Sequence, residues 1–82
     1  MRVQLRYFAS IREALGAGET LDSRAATLGA LRDELIARGG EHAQALARGK
    51  ALRMALDQVM ADDSAPLRDG SEVAFFPPVT GG

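Results

Sequence analysis

The segment "TLGALRDELIARGG" is the clearest helix in this chain. Leu28, Leu31 and Leu35 fall at spacings of three and four, Thr27 can cap the start, and Gly39 can supply a left-handed residue past the end. One amphipathic helix in 82 residues has to lay its leucine stripe on something. The remaining sequence supplies strands. "RVQLRYF" alternates, with Val3, Leu5 and Tyr7 on one side and Arg2, Gln4, Arg6 and Phe8 on the other. "ALRMALD" alternates again, setting Leu52, Met54 and Leu56 against Arg53 and Ala55, and "SEVAFF" sets Val73 and Phe75 against Ala74 and Phe76.

Shorter elements fill the gaps. "ASIREALG" reads as one or two helical turns with Ser10 as N-cap, Ile11 and Leu15 on one face and Gly16 as the stop. "GETLDS" reads as a return strand carrying Thr20 and Leu21. "EHAQALARG" reads as a short helix with Ala43 and Leu46 inward and Gly49 ending it, and Val59 and Met60 as a very short edge strand. Asp69-Gly70 is a turn signal, and Pro77, which cannot donate to a ladder, ends the last strand near Phe76. This order predicts an α+β fold, a mixed sheet of four or five strands packed on one main helix plus short helices. If the last strand lies beside the first, as in ubiquitin-like β-grasp folds, Phe8 and Phe76 share the outer face. With Ala55 and Ala74 between or beside them they would form an exposed apolar patch, rimmed by Arg6 and Arg53.

Composition narrows the chemistry. Hydrophobic types at 46% and charged types at 26% fit one domain, expected over residues 1–76, followed by a tail over 77–82. Ten basic against eleven acidic residues leave a net charge of -1, which gives no general attraction for nucleic acid. No uncharged stretch approaches the ~20 apolar residues that span a bilayer, and the arginines in "MRVQLRYFAS" break a signal-peptide pattern, so the cytoplasm is the expected compartment and no membrane partner is expected. Without cysteine there is no thiol nucleophile or sulfur ligand, and with His42 as the only histidine no metal site is expected. "ARGKALR" fails the phosphate-loop pattern around Lys50, Gly16 and Gly18 lack a third glycine, and Asp62-Asp63 reads as a solvated turn.

The ending "EVAFFPPVTGG" carries the functional signal. Pro77 and Pro78 favour an extended path, so the stretch Pro77, Pro78, Val79, Thr80, Gly81 and Gly82 could project roughly 20 Å at ~3.1 to 3.6 Å per residue. Glycines without side chains can thread a channel too narrow for other residues and present the Gly82 carboxylate to an active site.

"LRDGSEVAFFPPVTGG" closely resembles the C-terminal signature of the small, sulfur-carrying subunits of molybdopterin synthase, and "RYFASIREALG" resembles that family's first strand and helix. The resemblance implies a ubiquitin-like β-grasp fold whose Gly82 carboxylate is adenylated with ATP by a ubiquitin-activating-type adenylyltransferase and converted to a thiocarboxylate by a sulfur donor enzyme. It further implies no bound cofactor, and a heterotetramer in which the tail enters the large catalytic subunit and passes sulfur to cyclic pyranopterin monophosphate. The sheet face of Phe8, Phe76, Ala55, Arg53 and Arg6 would be the docking surface. A ubiquitin-like carrier of another pathway, of the thiamine type, and a ubiquitin-like modifier or interaction module are the alternative expectations. The chain departs from the family's small residue-asparagine turn with Leu56-Asp57, and its 58–69 connection is more acidic.

Overall fold

Alternation in the first segment becomes strand β1, Arg2–Tyr7, in which Val3, Leu5 and Tyr7 are buried while Arg2, Gln4 and Arg6 face solvent. The computed structural model describes residues 1–78. Along it follow α1 (Ala9–Leu15), β2 (Gly18–Asp22), α2 (Leu28–Ile36), α3 (Gly40–Ala45), β3 (Arg53–Leu56), β4 (Val59–Ala61) and β5 (Glu72–Phe76).

The five strands form one sheet in the order β2, β1, β5, β3, β4. β1 and β5 are parallel, with Leu5 opposite Val73 and Tyr7 opposite Phe75, and the other pairs are antiparallel. The last strand thus lies beside the first, in the centre of the sheet. Leu28, Leu31 and Leu35 of α2 are fully buried in one core with Val3, Leu5, Val73 and Phe75 of the inner sheet face. Each such side chain contributes about 1.5–3 kcal/mol by leaving water. This is the ubiquitin-like β-grasp arrangement, one helix clasped by a mixed sheet.

Local chemistry sets the boundaries. The Thr27 hydroxyl accepts the Ala30 amide at 3.2 Å and caps α2 as its sequence suggests. Gly16 closes α1 at φ 92, donating its N–H to the Arg12 carbonyl at 2.8 Å. Two boundaries differ from expectation. The N-cap of α1 is Phe8, not Ser10. The Phe8 amide still donates to the Phe75 carbonyl at 3.2 Å, so the chain stays in line with β1 for one residue more and leaves the sheet abruptly through Ala9, at φ 51. α3 ends at Ala45 rather than Gly49, with Ala45 and Leu46 buried and Ala43 half-buried. The reason is Arg32 on α2. Its guanidinium, buried at 5% exposure, donates to the carbonyls of Leu46 (2.7 Å), Ala47 and Lys50 (3.0 Å), so the chain after Leu46 wraps this cation instead of continuing as helix.

The acidic 58–69 connection is structural where it is charged. Asp63 accepts Arg48 at 2.6 Å, and Arg48 also donates to Asp33 at 2.8 Å and to the Gly29 carbonyl at 2.8 Å, tying the loop to α2. Asp62 caps the amide of Ser64, and Asp69 accepts the amide of Arg2 at 2.8 Å. Asp62-Asp63 is therefore a hydrogen-bonded turn and an ion pair, not a merely solvated one. No helix among the described residues is long and apolar enough to cross a membrane.

Candidate functional site

Parallel pairing of β1 with β5 brings the two ends of the recognisable sequence together. Phe8, just past β1, and Phe76, closing β5, lie side by side on the outer sheet face. Their rings stack with centroids 4.7 Å apart and planes 10° from parallel. Both are half-buried. Pro77 and Pro78 follow directly, so the aromatic stack marks the root of the tail.

Around the stack the register assembles the other expected residues. Arg53 sits opposite Phe76 and Arg6 opposite Ala74. The Arg6 guanidinium lies 5.7 Å from the Phe8 ring centroid, a cation–π contact, and 3.8 Å from the Glu72 carboxylate. Ala55 pairs with Ala74 as expected, but the exposed patch expected of them is corrected: they are only 4% and 8% accessible. Small side chains flush with the sheet, between Arg6, Phe76 and Met60, are shaded by longer neighbours. They form a floor rather than a protruding surface. A partner would touch the aromatic rings and the arginine arms, with the alanines admitting it close to the sheet.

Met60 was missed as a member of this face. It lies opposite Ala55 across β3 and β4 and is 54% exposed, extending the apolar strip to the sheet edge. The signal was weak, because a three-residue strand gives too little alternation to assign a face. What places it is the turn before it: Asp57 and Gln58 both have positive φ (50 and 70), making a two-residue hairpin, and Asp57 grips β5 by accepting the Glu72 amide at 2.9 Å and donating to the Glu72 carbonyl at 2.8 Å. The departure at Leu56-Asp57 therefore holds the hairpin against the central strand.

Behind the stack, Tyr7 packs on Phe75 with centroids 6.0 Å apart. Burial, with the Glu19 carboxylate adding to it, pushes the Tyr7 phenol up to about 12, so it stays protonated. Glu19 itself is held below the usual carboxylate range, chiefly by its paired hydrogen bonds from Arg38 (2.8 and 3.0 Å). Neither is a base for chemistry at the tail. Among the described residues no group of three or more His, Cys, Asp or Glu could hold a metal ion. Val79, Thr80, Gly81 and Gly82, expected to carry the tail's function, lie outside the described residues.

With this geometry the chain can be compared with known proteins. The ThiS family profile matches residues 5–82. The molybdopterin synthase sulfur carrier subunit of Escherichia coli is 42% identical over 81 residues, covering 98% of this chain and 99% of that protein. The protein of the same name from Haemophilus influenzae is 40% identical over 77 residues, covering 93% and 94%. Among solved structures, subunit 1 and 2 of molybdopterin-converting factor from Helicobacter pylori, a protein–protein complex, matches with a TM-score of 0.69 at 30% identity, and SAMP1 from Haloferax volcanii with 0.76 at 25%, both over 100% of either chain. A family match over residues 5–82 and 40–42% identity over nearly the whole length agree: the chain belongs to the ThiS family, among relatives named molybdopterin synthase sulfur carrier subunit.

Proposed function

We propose that this protein is the sulfur carrier of a molybdopterin synthase, acting as a protein co-substrate through the terminal carboxylate of Gly82. The observation that supports the reading is the aromatic stack of Phe8 on Phe76 at the root of the tail, apolar surface that a partner taking in residues 77–82 would grip. The chemistry needs no base from this chain. A carboxylate resists nucleophiles, so an adenylyltransferase of the ubiquitin-activating type joins it to the α-phosphate of ATP and releases pyrophosphate. Sulfide sulfur from a donor enzyme then attacks the acyl carbon, AMP leaves with the bridging oxygen, and a thiocarboxylate remains. In the large catalytic subunit, within a heterotetramer, the sulfur bonds to a carbon of cyclic pyranopterin monophosphate, displacing an oxygen group there, and water then cleaves the acyl–sulfur bond, leaving the sulfur on the substrate and the carboxylate on Gly82.

Support for the large subunit as partner comes from the Helicobacter pylori relative, solved as a complex of subunits 1 and 2. Phe8, Phe76 and Met60 form the apolar part of the docking face, Ala55 its floor, and Arg6 and Arg53 its polar rim.

Intact mass of the native protein tests the reading. One oxygen replaced by sulfur at the C-terminus is the expected result. Deleting Gly82, or adding a residue after it, should abolish dithiolene formation while leaving the fold unchanged. Activity retained in either variant overturns the proposal, and an amide link from Gly82 to a lysine of another protein would instead favour a modifier role.

A further inference from the structure

The chain has no cysteine, so its side-chain sulfur is confined to three methionines, Met1, Met54 and Met60. A thioether takes oxygen from a peroxide where the reagent can reach it, and exposure decides which of the three it reaches. Met54 is 5% exposed, packed in the core on the inner face of β3. Met60 is 54% exposed on the outer face, one strand away. Met1, 40% exposed, precedes β1, and β5 and β3 stand between that strand and β4. Three strand spacings, roughly 14 Å at ~4.8 Å each, therefore part it from Met60.

The surroundings of Met60 leave it open. β4 is an edge strand of the sheet, and Val59 beside Met60 is 67% exposed. Across the ladder Met60 faces Ala55, which in turn faces Ala74. Both alanines are too small to overhang it. A sulfoxide at this point replaces a soft apolar sulfur with a strong hydrogen-bond acceptor, and a partner closing over the face has to strip water from that oxygen. The fold is spared, because the core methionine is out of reach.

We propose that Met60 is a redox modification site whose sulfoxide releases the carrier from the large synthase subunit. The proposal rests on the docking face proposed above; a carrier that passes between an activating enzyme and a synthase uncovers that face between partners. In the step, the Met60 thioether attacks one oxygen of hydrogen peroxide. An S–O bond forms, the O–O bond breaks, sulfur gives up two electrons, and the second oxygen takes both protons and leaves as water. Return takes two electrons and two protons from a dithiol, which becomes a disulfide as water is released.

The test treats the full chain with limiting hydrogen peroxide, as the free acid so that no terminal sulfur competes. Peptide mapping should show one added oxygen on Met60, formed roughly tenfold or more faster than on Met54, with an unchanged thermal melt. Titration calorimetry against the large synthase subunit should then show binding roughly three- to tenfold weaker than before treatment. Methionine sulfoxide reductases of both epimer specificities, supplied with a dithiol, should restore it. In Met60→Leu, whatever its starting affinity, peroxide should produce no change. The proposal is overturned if Met54 oxidises as fast as Met60, if the Met60 sulfoxide binds as tightly as the thioether, or if Met60→Leu loses affinity on treatment as the wild type does. Untreated wild type that fails to bind overturns the docking face and with it the release, while the peptide map still decides the oxidation site.

Discussion

The rings of Phe8 and Phe76 lie 4.7 Å apart and within 10° of parallel, though one residue follows the first strand and the other completes the last. Sixty-seven positions of intervening sequence are closed by one parallel strand pair, and the contact it creates stands at the foot of the tail. Because both rings remain half-exposed, the stack has apolar surface left to offer a partner.

If the proposed docking on a large synthase subunit holds, Phe76→Ala is expected to weaken that binding by roughly tenfold or more, about 1.5–3 kcal/mol, while lowering stability by less. Titration calorimetry and a thermal melt on the same variant separate the two. Unfolding with unchanged affinity would assign the ring to the core.

Met60→Asp places a charge on the exposed end of the same strip. Affinity should fall by about 1–2 kcal/mol with the melting temperature nearly unchanged, since Met60 is more than half exposed. Equal binding of the two proteins would restrict the docking face to the aromatic side of the sheet.

Arg32→Met leaves three carbonyls without their shared donor. A loss of about 3 kcal/mol in urea unfolding is expected, and Arg32→Lys should recover little, because one ammonium cannot reproduce the fork that reaches Leu46, Ala47 and Lys50.

Gln58→Gly should raise stability by about 0.5–1 kcal/mol. Gln58 holds φ 70, which glycine adopts without a Cβ penalty, and its side chain is exposed. At Gly18 the opposite holds: a Cβ there would collide with the Leu5 carbonyl oxygen, so Gly18→Ala should cost about 2 kcal/mol or more by prising β2 from β1.

The acid limb of the stability curve has a contribution from Glu19. Its folded pKa lies below the ordinary 4.5 because Arg38 donates to the carboxylate, so the stabilisation is complete above 4.5 and disappears as pH falls through the lowered value. Glu19→Gln should flatten that part of the profile and cost only about 0.5 kcal/mol at neutral pH, the pair being partly solvated. An unchanged acid limb would refute the assignment.

How much of this was legible in the sequence depends on where each feature's cause resides. α2 and its Thr27 cap and the inward faces of β1, β3 and β5 follow from spacing within short segments, whereas the shared face of Phe8 and Phe76 also requires the last strand to pair with the first. The start of α1 does not, because Phe8 is held as N-cap by the Phe75 carbonyl, a contact from the far end of the chain. The end of α3 is set by Arg32, whose neighbours in sequence give no hint that its guanidinium will gather three carbonyls. Shading of Ala55 and Ala74 depends on side chains from adjacent strands, and the role proposed for Gly82 rests on family resemblance together with reach.

β5, the last strand in sequence among the described residues, occupies the middle of the sheet. A nascent chain halted before Glu72 leaves β1 and β3 with open inner edges and Leu5 and Tyr7 without Val73 and Phe75, so closure of the domain waits for its final segment. Copies that reach the native state have therefore already been synthesised through Phe76, and chains halted earlier keep unpaired strand edges open to proteolysis.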